Sequence, residues 1–525
     1  MCGGAANSCS HNLDSIGEHA WPPDGIAILG FPVGSAAFVE AHAAGRLAEE
    51  TELWGALPAV PDLQCAWQIL IQSASPRCNH MLRALPPSAS AAYAQGHDEG
   101  MWQAVDALMA GLPGTDAAKT AAKHIASLPM RLGGLGVRSA TRTALAAYWA
   151  SWADALPMLA ARCPAVCSYI VEALEGIPNE NCLQELVVAS EHLRSEGFLC
   201  MPAWSALADG TKPEQQPAEF ESGEWHQGWQ FYASSTREHF FRRRGILASS
   251  CSSYQAHLRS RSGPGAASAL MGCPTLPEFV IEPHALRALI LDRVRLPFPL
   301  TDIVCEGCGA ELDNAGFHRS NCMLSGRVRK RARPLELAAA RVCKEAGAKV
   351  QTDVFLRNLN MAVHPSDNRR IEVIASELPC FAGAQLAIDV TLRTSCTARG
   401  APKSRADVSN GVVCDAARYD KERKYPELLE ARRCKLVVLA LEVGGRFSKE
   451  TMTFLEELAW ARGRSAPIAL RFSACLAWRR RWSRVLGVAA ATAWASSVLA
   501  PAEECTATFA DGECPCDGDI WSREA

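Results

Sequence analysis

The chain of 525 residues has no surplus of either charge, since 53 Lys and Arg stand against 56 Asp and Glu for a formal net charge of −3. Any affinity for nucleic acid must therefore come from local patches. It lacks an apolar run long enough to cross a bilayer: the longest, Val485 to Ala500, is interrupted by Thr492, Ser496 and Ser497 and reads as a buried helix. No charged-then-apolar leader opens the sequence. The 22 cysteines lack the short, regular spacing of a secreted disulfide framework, which points to a reducing, intracellular compartment and no membrane partner. What is present is a 48% hydrophobic composition, ample for packed cores, over a length that accommodates about two to four domains.

The most informative stretch runs from Cys305 to Tyr425. It opens with CEGCGAELDNAGFHRSNC, in which Cys305, Cys308, His318 and Cys322 have the types and spacing of four zinc ligands. Three thiolates and an imidazole satisfy tetrahedral Zn²⁺ and leave no position for water, so the ion would be structural. Gly307 and Gly309 stand where a knuckle needs a relaxed backbone. RVRKRAR follows at once, with Arg327, Arg329, Lys330, Arg331 and Arg333 supplying cations suited to phosphate contact.

RRIEVIASELPCFAGAQLAIDVTL then holds two β-prone segments flanking a loop with Pro379 and Gly383, which predicts a hairpin. Leu386, Ile388, Val390 and Leu392 alternate on one face, turning Ala387, Asp389 and Thr391 to the other, and Glu372 stands opposite in phase to Ile371 and Val373. Glu372 and Asp389 are thus expected to leave neighbouring strands on the same side, as an oxygen-rich seat for catalytic Mg²⁺. In the helical segment DAARYDKERKYPELLEARR, Lys421 and Lys424 lie three apart on one face, and either one suits the role of a lysine that orients water or stabilises developing negative charge. CKLVVLALEVGG reads as a strand buried on both faces.

Zinc box, basic run, helix, acidic hairpin, KxxKY helix and buried strand together resemble the C-terminal half of a non-LTR retrotransposon polyprotein of the class that carries a restriction-like endonuclease. The resemblance implies a PD-(D/E)xK fold that nicks target DNA and primes reverse transcription from the nick. It gives Glu372 and Asp389 the places of the two metal carboxylates, and Lys421 or Lys424 that of a catalytic lysine displaced onto a helix. Arg-Ile-Glu stands where the family has a Pro-Asp pair, and Thr391 stands two after Asp389 where the parent motif has lysine.

The segments around GIAILGFPVGSAAFVEAHAAGRLAEE and LPMRLGGLGVRSA resemble the same family just past the polymerase palm, where the thumb begins. The first predicts a strand, a Pro-Gly turn and a helix capped by Ser35; the glycines of the second, Gly133, Gly134 and Gly136, predict a hinge before a helix capped by Ser139. A reverse transcriptase holds its metals on a palm Asp-Asp pair, and the chain contains no such dipeptide, so it reads as the portion of a longer frame that follows the palm. Trp149 and Trp152 read as core, while Arg242, Arg243, Arg244, Arg259 and Arg261, interleaved with Phe240 and Phe241, suit nucleic-acid contact or an amphipathic surface equally.

The expected architecture is α+β and multidomain: an unstructured start (1–24), a helical thumb-like region (25–209), a linker (210–224), a further helical region (225–300), a CCHC zinc knuckle (301–326), an α/β nuclease-like domain with a mixed sheet (327–500) and an acidic tail (501–525). The expected activity is metal-dependent nicking of DNA in the nucleus, with structural Zn²⁺, catalytic Mg²⁺, a DNA target and element RNA as a second candidate partner. The competing readings are a non-catalytic zinc-knuckle nucleic-acid-binding remnant and a functionless fragment of a dead element.

Overall fold

The alternation in the acidic segments becomes, in the computed structural model of the chain, the middle of a four-stranded sheet. The structure describes residues 24–214, 227–300, 303–359, 361 and 363–499. The expected unstructured start up to residue 23, the linker from 215 on and the acidic tail lie outside those residues.

Strand β3 (Lys349–Phe355) pairs antiparallel with β4 (Arg370–Ser376), and β4 pairs antiparallel with β5 (Gln385–Arg393), Val373 lying opposite Ile388. β6 (Cys434–Glu442) runs parallel to β5, with Val438 opposite Asp389. A parallel neighbour requires a crossover, and the helix Val412–Lys424 makes it. The sheet is therefore mixed, as expected, in the order β3-β4-β5-β6.

Period-two alternation sorts the side chains between two layers. Val373, Leu386, Ile388, Val390 and Leu439 pack under Leu335 and Val342 of the helix Ala332–Glu345, Leu455 and Leu458 of the helix Lys449–Gly463, and Trp482 of the C-terminal helix Arg471–Val498. On the opposite face Ile374, Ala387, Leu436 and Val438 pack against Cys414, Ala417, Tyr425 and Leu428. Each such aliphatic side chain, fully buried, stabilises by about 1.5–3 kcal/mol relative to its exposed state. Because β5 is covered on both faces, Asp389 lies inside the protein with 0% exposure.

The N-terminal region is helical, as expected, with one difference at its start. The predicted single strand is a two-stranded hairpin, β1 (Gly25–Ile28) and β2 (Phe31–Gly34), and Pro32 sits within β2 instead of at the turn. A proline is tolerated there because a two-stranded ribbon consists of edges alone; Leu29 and Gly30, both at positive φ, make the turn. Ser35 and Ser139 cap their helices, accepting from the amides of Phe38 (3.3 Å) and Arg142 (3.1 Å). Trp149 is fully buried, in contact with Phe198, Trp204 and Trp229. The glycine-rich stretch is a packed turn, not a hinge: a Cβ on Gly134 would fall 2.1 Å from the carbonyl oxygen of Leu128.

The helical and sheet regions share a core. The last turns of the C-terminal helix, with Trp494 and Val498, join Trp67, Leu70, Met101 and Leu286, while Trp482 and Leu486 earlier in the same helix serve the sheet. Among the described residues no helix is long and apolar enough to cross a membrane.

Buried charge pins this junction. Arg293 donates to the carbonyl oxygens of Met130 (2.6 Å), Gly134 (2.6 Å), Ala266 (2.8 Å) and Arg261 (3.0 Å). Beside it, buried Asp292 accepts from Arg261 and lies 3.3 Å from Nε2 of His257. Arg261 is thus a structural cation with 2% exposure, and the expectation that it faces nucleic acid is corrected: its charge is committed to Asp292. Arg242 and Arg259 bind the carbonyl oxygens of Leu132 (3.0 Å) and Asp407 (2.7 Å), and Arg243 and Arg244 remain exposed.

Removing Arg293 strands the carbonyl groups of Gly134, Ala266 and Arg261, while that of Met130 keeps the amide of Gly133, so Arg293→Met is expected to cost about 3 kcal/mol or more in unfolding free energy, measured by chemical denaturation. A change below about 1 kcal/mol would contradict the pinning role. Burial, with repulsion from Arg261, pushes His257 down to about 3, against the pull of Asp292. The unfolded chain takes up this proton near pH 6.5 and the folded chain does not, so stability should fall as pH drops from about 6.5 towards 3. His257→Gln should fall less steeply over that window, and equal slopes would remove His257 from the effect.

Candidate functional site

Two sites emerge from the central stretch. In the first, the chain at 305–322 folds back on itself: the amide of Cys305 donates to the Ala310 oxygen (2.8 Å), and that of Gly309 to the Cys305 oxygen (2.8 Å). Gly309 turns at φ +70, and a Cβ on Gly307 would fall 2.4 Å from the amide nitrogen of Ser325, so the loop closes only over glycine. Asp313 receives the amides of Phe317 (2.9 Å) and His318 (2.7 Å) and starts the short helix Phe317–Asn321 that carries the imidazole.

The ligand atoms of Cys305, Cys308, His318 and Cys322 all lie within 4.8 Å of one another. Sulfur separations are 3.7 Å for Cys305–Cys322 and 3.8 Å for Cys308–Cys322, and Cys308 Sγ is 3.3 Å from His318 Nε2. A tetrahedral zinc with bonds of about 2.3 Å to sulfur and about 2.0 Å to nitrogen places sulfurs about 3.8 Å apart and sulfur and nitrogen about 3.5 Å apart. The group therefore has the size of one zinc coordination shell. Burial resists ionisation of Cys322, but the amides of Ser325 and Leu324 and the neighbouring thiols prevail and lower it to about 6.

The basic run divides. Arg329, Lys330 and Arg333 are exposed. Arg331 is 3% exposed and donates to Ser497 Oγ (2.7 Å) and the Ser320 oxygen (3.0 Å), tying the knuckle to the end of the C-terminal helix. Its expected part in phosphate contact is corrected accordingly: the guanidinium has no face towards solvent. Arg327, half-buried, donates to the Leu499 oxygen (3.0 Å) and to Glu306 (3.0 Å).

The second site lies on β4, β5 and the crossover helix. Asp389 leaves the central strand towards that helix and forms an ion pair with Lys421. The paired residues beyond Val373 and Ile388 would be Glu372 and Asp389, and here the ladder opens: Glu372 Oε2 accepts the amide of Val390 at 2.5 Å. Burial, and next the charge of Asp389, push the Glu372 carboxyl up to about 8. Both oxygens of Asp389 are buried, and Lys421 is the charge partner of this fully enclosed carboxylate. Asp389 with Glu372 beside it is a pair of carboxylates that could hold a hard divalent cation.

Of the two lysines the sequence left open, Lys421 faces the carboxylate. Lys424 lies with its Nζ 4.7 Å from the centre of the Tyr425 ring, and burial together with Lys421 lowers its pKa. Tyr425 has no exposed surface and donates to the Arg370 oxygen (2.8 Å), with Asp389 beside it raising its pKa after burial itself. Sequence reasoning quoted this tyrosine without giving it a part; its place directly after Lys424 was the available signal. Arg369 was missed too: it bridges Asp367 (2.6 Å) and Glu427 (2.6 Å), fastening the crossover region to the start of β4.

No protein-family model matches the sequence, and no curated protein matches it.

One zinc per chain is expected by elemental analysis of purified protein, with Cys322→Ser losing it and unfolding at lower temperature. Protein free of zinc and as stable as a chelator-treated sample would contradict the metal centre.

Proposed function

We propose that the chain is the metal-dependent DNA endonuclease portion of a non-LTR retrotransposon protein, with a structural zinc knuckle beside a restriction-like nuclease domain. The observation that carries this reading is the convergence of Asp389, Glu372 and Lys421 from three successive elements, β5, β4 and the crossover helix, at one enclosed point. A packed sheet does not isolate two acids and a lysine there without cost, because each buried charge forfeits hydration. Function is the reason to bear it.

In this reading Mg²⁺ bound by Asp389 and Glu372 would activate a water and neutralise the phosphodiester. The residues of the chain do the rest. Glu372, whose carboxyl is raised to about 8 by burial and the charge of Asp389, would hold such a cation in its ionised form, its proton passing to solvent. Lys421, released from Asp389 as that happens, offers its ammonium to charge developing on the phosphoryl oxygens. Tyr425, anchored to the Arg370 oxygen, keeps the end of the crossover helix in place. The exposed Arg329, Lys330 and Arg333 contact the backbone of the DNA target. This reading implies the nucleus as the compartment and element RNA as a second candidate partner. The direct Lys421–Asp389 pair is the one feature that suits the alternative, a binding module whose metal seat is closed by lysine.

Asp389→Asn is expected to lower Mg²⁺-dependent nicking of plasmid DNA by about 100-fold or more while zinc content and DNA binding persist. Lys421→Ala should approach that loss, and Lys424→Ala should stay within about tenfold of the parent protein. Absence of nicking by the parent under any divalent metal, or equal nicking by Asp389→Asn, would leave the binding module standing.

A further inference from the structure

The loop from Thr394 to Gly411 leads from the end of β5 to the crossover helix, and the nuclease reading assigns it nothing. It is tightly held: Lys403 N donates to the Ser395 oxygen (2.8 Å), Thr397 N to the Ala401 oxygen (2.8 Å), and Arg259 to the Asp407 oxygen (2.7 Å). Within it, Lys403 turns its ammonium inward, donating to Thr394 Oγ1 at 2.8 Å. Thr394 in turn donates to Asn321 Oδ1 at 2.6 Å, and Asn321 immediately precedes the zinc ligand Cys322. A chain of three polar groups thus spans the seam between knuckle and sheet.

The ammonium is in an unfavourable place. It is half-buried and has no carboxylate in ion-pair contact among the described residues. Burial is the largest cause of its lowered pKa and the like charge of Arg393 the next, with Cys396 and Glu442 opposing and Arg331 adding to the lowering. Burial and repulsion together make this cation a liability to the folded chain alone. An anion seated against it would remove both costs.

The position says which anion. Thr394 directly follows β5, five residues beyond Asp389 and about 17 Å away at the rise of a β-strand. Arg393 and Asp389 share a strand face by period-two alternation, and both meet the crossover helix, through Asp420 (3.1 Å) and Lys421. A nucleic-acid strand crossing the end of β5 over Arg393 would bring a backbone phosphate onto Lys403. On the far side of the seam, the knuckle presents exposed Arg329 and Lys330.

We infer that Lys403, oriented by Thr394 and Asn321 and flanked by Arg393, is a backbone-phosphate subsite that fixes a nucleic-acid strand across the seam between the zinc knuckle and the sheet. This rests on the reading of the chain as a nucleic-acid-binding protein and is independent of cleavage. Lys403 is a positioning residue, since it sits far from the acidic site.

The test measures the affinity of the zinc-loaded protein for a short DNA duplex and for single-stranded DNA by fluorescence anisotropy without divalent metal, across a range of salt. Lys403→Met should weaken binding several-fold at low salt and reduce the slope of log affinity against log salt by about 0.9, one phosphate contact. Lys403→Arg should restore the slope, and the melting temperature of Lys403→Met should be unchanged or raised, because an uncompensated cation is removed. An unchanged slope overturns the inference, as does a marked fall in melting temperature, which would make Lys403 a structural cation. Failure of the parent protein to bind either DNA at low salt overturns it as well. Binding that loses this contact in a parent protein that does not nick would sink the nuclease reading alone and leave the subsite intact.

Discussion

A carboxylate with no exposed surface, placed on the central strand of a sheet, requires a positive partner, and the region around Asp389 is organised by that requirement. The register of β5 against β6 puts Asp389 beneath the crossover helix, the helix supplies Lys421, and the opening of the β4–β5 ladder lets Glu372 approach. A shift of one residue in β5 would send Asp389 into the layer of Leu386, Ile388 and Val390, where no cation waits. The same shift would turn those aliphatic side chains out of their packed layer and towards the crossover helix, so the packing of the sheet enforces the geometry of the site.

The knuckle is tied to this sheet by more than adjacency. Trp494 donates to Ser320 Oγ (3.1 Å), Arg319 to the Val498 oxygen (2.9 Å) and Arg331 to Ser497 Oγ (2.7 Å), so the end of the C-terminal helix is clasped by the segment that carries the zinc ligands. That helix also fills the cores of both the sheet and the N-terminal helices. A metal held at the knuckle would therefore act on the whole molecule through one 28-residue element, coupling its binding to the folding of the sheet.

Much of this was legible in the sequence where local pattern decides. The CxxC and HxxxC pairs gave the Cys3His cluster because short spacing along the chain keeps its ligands close, and the alternation around Asp389 gave the strand face because a strand has period two. Ser35 and Ser139 gave helix starts by their own hydroxyls. Exposure was not legible. Arg331 and Arg261 look like their solvent-facing neighbours, and only the tertiary position of Ser497 and Asp292 turns them inward. The choice between Lys421 and Lys424 was likewise closed to a helical wheel, since residues three apart share a face and the crossing angle over β5 selects one. The sequence also divided the chain into units that the C-terminal helix joins, because contacts across hundreds of residues leave no periodic trace.

The central claim is that Asp389 and Glu372 form a divalent-metal seat that Lys421 fills when no metal is bound. A crystal of the zinc-loaded protein soaked in Mn²⁺, with data collected at the manganese edge, tests it directly. The account predicts an anomalous peak coordinated by both carboxylates, with Lys421 withdrawn from Asp389. Saturating Mn²⁺ that leaves no peak there and the Lys421–Asp389 pair intact would contradict it.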